Sequence, residues 1–232
     1  MEIRRFYSKN KKQGAFIIDG EEAHHAIKVL RYKVGYLLTV FDGSGKDYNC
    51  TVREIGKDYM VAGIDSVEEN DTEHRVKLKL FQGIAKPDKM ELIIQKAVEL
   101  GISEITPVYT SRSEKDLKLE KLQKIAIGAA KQCGASRLTK INEPIYIQDI
   151  NIDTLTVLAY EGEKTKTLKD VTLGRFQTIN LVVGAEGGFS EDEANMLTEK
   201  GALCVSLGKR ILRTETAGIV LSSIVLYKAG SI

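Results

Sequence analysis

At Glu68-Glu69-Asn70-Asp71-Thr72-Glu73 the chain carries no apolar side chain, and the hydrophobic period differs on its two sides. Before this stretch, short β-rich runs at Ala15–Ile18, Leu37–Phe41, Tyr48–Ile55 and Met60–Val67 are separated by glycine-bearing turns such as Asp42-Gly43-Ser44-Gly45. One predicted helix, Glu21–Leu30, interrupts them with Ala23, Ala26, Ile27 and Leu30 on one face. That is the pattern of a small β-barrel. After the acidic stretch, strands and helices alternate. Strands are predicted at Val76–Ala85, Ile105–Tyr109, Thr156–Tyr160, Ile179–Val183 and Leu203–Leu207. Helices are predicted at Asp88–Leu100, Leu119–Cys133, from Ser190 to about Lys200, and at Thr214–Lys228. Strands separated by helices imply a parallel sheet covered on both faces. The expected organisation is therefore a domain over residues 1–70, a linker over 71–75 and an α/β domain over 76–232.

Charge and cysteine usage narrow the class. The chain has 34 Lys+Arg and 32 Asp+Glu, too balanced for a protein that coats polyanions. The charge is unevenly spread: residues 71–140 carry 14 basic against 9 acidic groups, and residues 141–232 carry 9 against 12. Arg4, Arg5, Lys9, Lys11 and Lys12 cluster, as do His24, His25, Lys28, Arg31 and Lys33. These groups are either a solvated surface or a phosphate-binding face made of patches. Three cysteines far apart, with no CxxC pair, argue against a disulfide framework and a structural zinc site. Apolar runs such as Leu181–Val183 are far too short to span a membrane, and the first twelve residues are not a secretory signal. A soluble, cytoplasmic protein without a metal is expected.

Two segments carry the chemistry. In Leu181-Val-Val-Gly-Ala-Glu-Gly-Gly-Phe189-Ser190 an apolar strand runs into a glycine-rich turn and a capped helix. Gly184, Gly187 and Gly188 either make a tight turn or let backbone approach a ligand closely. Glu186 among them would repel a pyrophosphate, and neither GxGxxG nor GxxxxGK[ST] is present. A ligand without phosphate, such as an adenosyl group bearing a sulfonium, suits the turn better. In Leu207-Gly-Lys-Arg-Ile-Leu-Arg-Thr-Glu-Thr-Ala217 a second strand runs through a loop into the last helix, with Thr214 as its candidate cap. Ile211 and Leu212 either pack in a core or line an apolar slot for a purine. Arg210 and Arg213 either decorate the surface or hold a phosphate or a developing anion.

These motifs, VGAEGGFS and LGKRILRTETA in this order and separation, resemble the RsmE family of 16S ribosomal RNA uridine-N3 methyltransferases, of the SPOUT class. The resemblance extends over almost the whole chain. RRFY at Arg4–Tyr7, HHAIKVLRYKVG at His24–Gly35 and FDGSG at Phe41–Gly45 match the family's N-terminal PUA-like domain. The segment Lys86–Val108 matches the start of its catalytic domain. The resemblance implies a trefoil-knotted α/β SPOUT methyltransferase domain, its parallel sheet carrying helices on both faces, preceded by a small PUA-like β-barrel that binds RNA. It implies S-adenosylmethionine held by Leu158, Ala159 and Tyr160, by Val183, Gly184, Glu186, Gly187 and Gly188, and by Leu207, Gly208, Arg210, Ile211, Leu212, Thr214 and Ala217. The partners implied are 16S ribosomal RNA in the small ribosomal subunit and a second copy of the chain, paired through the knotted domains. Ile219, Val220, Ser223 and Leu226 of the last helix fit such an interface or simple core packing.

Methyl transfer from a sulfonium rests on alignment. Uridine N3 must lose a proton, and a nearby cation favours the anion. Arg213 with Arg210 is the expected anion-stabilising pair; Glu186 is either a base or a brace for its own loop. Candidate RNA contacts are Arg4, Arg5, His24, His25, Lys28, Arg31, Lys86 and Arg137. The chain departs from the family pattern at Ala185, where proline is usual. It departs again at Lys131-Gln-Cys-Gly-Ala135-Ser-Arg137, where the family has an EQxGR-like segment. Another SPOUT specificity, or a non-catalytic RNA-binding or ribosome-assembly protein, would share most of these features. A nucleotide-binding oxidoreductase would need a GxGxxG motif that is missing.

Overall fold

A computed structural model describes residues 3–174 and 176–232. The chain divides into two compact units. The first holds the residues up to Glu73 together with Ile127–Leu138; the second holds His74–Ala126 and Thr139–Ile232.

In the first unit the strands are β1 (Arg4–Tyr7), β2 (Lys11–Lys12), β3 (Ala15–Asp19), β4 (Leu37–Phe41), β5 (Lys46–Ile55) and β6 (Tyr59–Glu69), in the sheet order β1-β4-β5-β6-β3-β2. β1 pairs parallel to β4 with Arg4 opposite Leu38, and the other pairs are antiparallel. Alternation places Phe6, Phe16, Ile18, Leu38, Val40, Val52 and Met60 in one core, all 1% exposed or less. Burying one such side chain contributes about 1.5–3 kcal/mol relative to leaving it in water. The predicted helix Glu21–Leu30 is present as a continuous helical stretch over Gly20–Val29, but its second half is wider than expected. α1 covers Gly20–His24, and a π-turn follows over His25–Val29, where the Leu30 N–H reaches the His25 carbonyl at 3.0 Å. Arg31 then takes φ +54°, a conformation that few non-glycine residues adopt.

The second unit holds β7 (Lys77–Gly83), α2 (Pro87–Glu99), β8 (Glu104–Tyr109), and the start of α3 (Leu119–Cys133), whose last turns belong to the first unit. Next come β9 (Lys140–Ile141), β10 (Ile145–Tyr146), β11 (Leu155–Ala159), β12 (Thr178–Val183), α4 (Glu191–Glu199), β13 (Leu203–Val205) and α5 (Thr214–Lys228). Every strand pair is parallel, in the order β10-β8-β7-β12-β11-β13, with β9 also on β8. Neighbours on one strand point to opposite faces. Leu80 faces a groove with Ile93 of α2 and Gly218 of α5, whereas Phe81 packs with Val182 and with Ala194 of α4. Helices therefore cover both faces, as the alternating pattern predicts. α2 forms because Pro87 pre-sets its first turn and because Met90, Ile93, Ile94, Ala97 and Val98 repeat at helical spacing as a buried face. On α5, Leu226 is fully buried, so it belongs to the core; Ile224 and Tyr227 are the exposed apolar groups near its end, at 36% and 74%.

Candidate functional site

All the strands of the parallel sheet deliver their C-terminal ends to the same edge, and the loops after β11 and β13 converge there. The end of β11 supplies Ala159 and Tyr160; the chain after β13 supplies Leu207, Gly208, Arg210, Ile211 and Leu212; α5 adds Ala217. Together they line one hollow, with Lys209 of the same motif and with Glu161, Lys164 and Ser206, three groups that no motif singled out. Gly208 takes φ +129°, a region closed to most side chains, so the bend that opens the hollow requires glycine. Leu158 lies behind it in the core, fully buried. Ile211 is 85% exposed, which excludes the core alternative for that residue. The loop after Tyr160 is held in shape by Glu163, whose carboxylate accepts from the Thr165 and Lys166 backbone N–H groups and the Thr165 hydroxyl. Those bonds pull its pKa down to about 2. Burial, with the Glu161 and Glu191 carboxylates nearby, pushes the Tyr160 phenol above its usual value, so it keeps its proton.

The glycine turn is built beside this hollow. Val183 ends β12 and Gly184 follows it, both buried, and the Gly188 N–H closes a turn on the Ala185 carbonyl at 3.0 Å, with Gly188 at φ +65°. Ala185 is 4% exposed, so the residue that stands in place of proline is packed rather than loose. Arg112, from the loop after β8, donates to the Gly187 carbonyl at 2.8 Å and the Phe189 carbonyl at 3.3 Å. Glu193 accepts from the Ser111 N–H at 2.7 Å and from the Ser190 N–H at 2.9 Å, while the Ser190 hydroxyl accepts from the Glu193 N–H. The predicted capping box is thus present and also anchors the β8 loop.

Thr214 does not cap α5 as expected. Its hydroxyl donates to the Gly184 carbonyl at 2.5 Å, because the first turn of α5 is buried against the glycine turn. Beside it, burial alone would lift the Glu215 carboxyl, but the Lys89 ammonium at 2.5 Å outweighs that and holds it below the usual range. Glu186 accepts from the Lys86 N–H at 3.0 Å, at the start of α2, where the helix dipole favours a carboxylate. Arg210 and Arg213 are both exposed, Arg213 standing just before α5.

The candidate RNA contacts fall into two kinds. In the first unit His24, His25, Lys28 and Arg31 lie exposed along α1 and the π-turn, and Arg4 is exposed on β1. Arg5 differs: its guanidinium donates to both Asp47 oxygens at 2.8 and 3.1 Å and to the Ser136 hydroxyl at 2.5 Å, and it lies over the Phe41 ring. Arg5 is committed within the unit and is set aside as an RNA contact. Lys131, a departure from the family pattern, pairs with Glu22 at 2.5 Å. Arg137 is exposed, its Nε 3.8 Å from a Glu73 oxygen. In the second unit Lys86 is exposed before α2.

Burial pushes the thiol of Cys50 up to about 12 and that of Cys204 to about 11, which disfavours a thiolate at either. Among the described residues no cluster of histidine, cysteine and acidic groups is placed to hold a metal ion. Among the described residues no helix is long and apolar enough to cross a membrane.

Similarity to known proteins extends over nearly the whole chain. A family model described as an RNA methyltransferase domain matches residues 72–226, and one described as an RNA methyltransferase PUA domain matches residues 18–65. The ribosomal RNA small subunit methyltransferase E of Bacillus subtilis is 30% identical over 97% of each chain. The protein of the same name from Aquifex aeolicus is 33% identical over 95% of this chain and 98% of its own. The crystal structure of ribosomal RNA small subunit methyltransferase E from Neisseria gonorrhoeae bound to S-adenosyl methionine matches with a TM-score of 0.86 at 28% identity, over 97% of this chain and 98% of that one.

Proposed function

The chain belongs to the ribosomal RNA small subunit methyltransferase E family, and from that premise we propose that it methylates N3 of a specific uridine in 16S ribosomal RNA, using S-adenosylmethionine. The observation that carries the reading is the hollow at the C-terminal edge of the parallel sheet, lined by Ala159, Tyr160, Leu207–Leu212 and Ala217. Ligands of open α/β sheets bind outside the carboxyl ends of the strands. The lining fits an adenosyl sulfonium: Ala159, Leu207, Leu212 and Ala217 offer apolar surface, Gly208 lets backbone come close, and Glu161 supplies a carboxylate for a cation. When bound, the cofactor supplies a methyl group already activated by the sulfonium, so the chemistry calls for no metal.

The protein's own groups then align and discharge. Leu158–Tyr160, Val183–Gly188 and Leu207–Leu212, with Thr214 and Ala217, hold the cofactor. Arg213, assisted by Arg210, stabilises the negative charge that uracil acquires when its N3 proton leaves. Glu186 braces the glycine turn against the start of α2 and does not act as base. His24, His25, Lys28, Arg31, Arg4, Lys86 and Arg137 supply RNA contacts, and the first unit grips the RNA as a PUA-like domain. The target base has to leave its stack for N3 to be reached. The same reading takes the chain from Val183 to Ala217 as the knotted segment. It pairs two chains through the second unit, where Ile224 and Tyr227 border an apolar hollow with Leu168 and Leu207. It also places the enzyme in the cytoplasm with the small ribosomal subunit.

The test is incubation with labelled S-adenosylmethionine and small subunits lacking N3-methyluridine, followed by nucleoside analysis. N3-methyluridine at one site is expected, and Arg213→Ala should lower kcat by roughly 100-fold without weakening cofactor binding. Cofactor binding with no transfer would move the reading to another RNA target or to a ribosome-assembly role.

A further inference from the structure

Gln82 is the last residue but one of β7, between β8 and β12, and is 0% exposed. A buried primary amide is costly unless its polar atoms are satisfied. The two protons of its Nε2 are shared among three acceptors, the Gly83 carbonyl at 3.1 Å, the Gly184 carbonyl at 3.1 Å and the Thr214 hydroxyl at 2.8 Å. Thr214 in turn donates to the same Gly184 carbonyl at 2.5 Å. The amide cannot be turned over, because the Gly83 and Gly184 carbonyls only accept, and the Thr214 hydroxyl already spends its proton on Gly184. Its Oε1 is buried without a protein partner. A leucine would fill this space without the orphaned Oε1, but it would take the donor away from the Gly83 and Gly184 carbonyls. The position therefore tolerates a destabilising feature to place a donor between two loops.

One of those loops is built beside the hollow and the other follows its lining, and they come from different parts of the chain. Gly184 opens the glycine turn after β12, and Thr214 opens α5 directly after the loop that contains Gly208–Leu212. We infer that Gln82 is a positioning residue for cofactor binding: with Thr214 it fixes the Gly184 peptide plane and the start of α5 to one another. It touches no reacting atom and acts through the two loops. This rests on the reading of the hollow as the S-adenosylmethionine site.

The test compares the full-length wild type with Gln82→Leu, Thr214→Val and the double variant, reading calorimetric S-adenosylmethionine affinity, melting temperature, and KM against kcat. A core change in the first unit, Val52→Ala, serves as the control for lost stability alone. Gln82→Leu should weaken cofactor binding at least tenfold and raise the KM for the cofactor more than it lowers kcat. Backbone amide exchange of residues 184–188 should quicken without any ligand. Thr214→Val should behave alike, and the double variant should be little worse than either single change, since both act through one carbonyl. Val52→Ala should melt earlier and bind the cofactor as the wild type does. If Gln82→Leu does not fold, Gln82→Met, which also removes the amide donor, takes its place in the comparison. Cofactor affinity equal to wild type in the folded variants overturns the inference. A wild type that binds no S-adenosylmethionine overturns the cofactor reading itself, and the inference with it.

Discussion

Gly83 ends β7, and the backbone of the glycine turn passes over it. A Cβ at this position would lie 2.4 Å from the Ala185 nitrogen, 2.8 Å from the Gly184 carbonyl carbon and 3.2 Å from the Ala185 Cα. The first contact is 1.0 Å inside the 3.4 Å at which ordinary van der Waals contact begins. All three atoms are main chain, so no rotamer change relieves the overlap; either β7 or the turn has to withdraw. Gly83 is not among the residues with positive φ, so alanine there tests space and not backbone conformation. Overpacking of this kind costs about 1–3 kcal/mol. For a chain of this size each 1 kcal/mol lowers Tm by roughly 2–4 °C. A displacement of about 1 Å in a positioning loop lowers the rate by on the order of 100-fold. Gly83→Ala should therefore melt a few degrees to about 10 °C lower and lose about two orders of magnitude in kcat/KM for methyl transfer. Gly128→Ala is the matched control: it lies within α3, and a Cβ there meets nothing within 4 Å. That variant should be neutral or slightly stabilised. A Gly83→Ala enzyme as active as Gly128→Ala would refute the claim that the close approach of β7 sets the turn.

Two further outcomes are expected. Burial alone would raise the Asp47 carboxyl, but hydrogen bonds from Arg5, Ser136 and Asn70 hold it below its ordinary value. The folded pKa lies below the unfolded value of about 3.9, so this stabilisation is complete above roughly pH 4 and fades as pH falls through the folded pKa. Asp47→Asn should cost about 2 kcal/mol at pH 7, the side chains being mostly buried and their bonds charge-assisted. The gap between wild-type and variant melting temperatures should narrow below pH 4; a gap independent of pH would rule out the carboxylate as its origin. Glu186→Gln keeps an oxygen to accept the Lys86 N–H, so kcat should stay within roughly threefold of wild type, whereas loss of a general base would lower it by about 100-fold or more.

Much of this architecture could be read from residues close in sequence. Glycine-rich turns and helical spacing located every strand and helix of four or more residues in the second unit, and the SEDE capping box at Ser190 needs only four residues to be recognised. What was hidden depends on remote partners. β1 opens with two arginines and pairs with β4, some thirty residues on, so no local alternation announces it. The π-turn at His25–Val29 adds one residue to a helical turn without disturbing the apolar face around Ala23 and Ala26. Nothing in the composition of Leu119–Cys133 marks where one helix passes from one unit to the other. Arg112 and Glu161 sit in loops without a motif, and only folding brings Arg112 to Gly187 and Glu161 beside Gly188. Gln82 did carry a signal: a polar residue after the apolar run Leu80-Phe81, in a strand that parallel packing buries on both faces, has to find partners inside the protein.

The all-parallel pairing of the second unit also governs when the hollow can exist during synthesis. β7 pairs with β12, Lys77 lying opposite Thr178, so the strand that carries Gln82 and the strand that leads into Gly184 meet only after a hundred intervening residues have been made. Closing so long a loop is slow, and contacts of this separation reward the chain late. The floor of the hollow then waits further, for the stretch from Ser206 to Ala217. If the hollow is the cofactor site proposed above, a nascent or truncated chain that ends before Ala217 cannot hold the ligand that would stabilise it. The ligand's contribution to stability thus reaches only chains that have been completed through α5, and unfinished ones remain exposed to proteolysis.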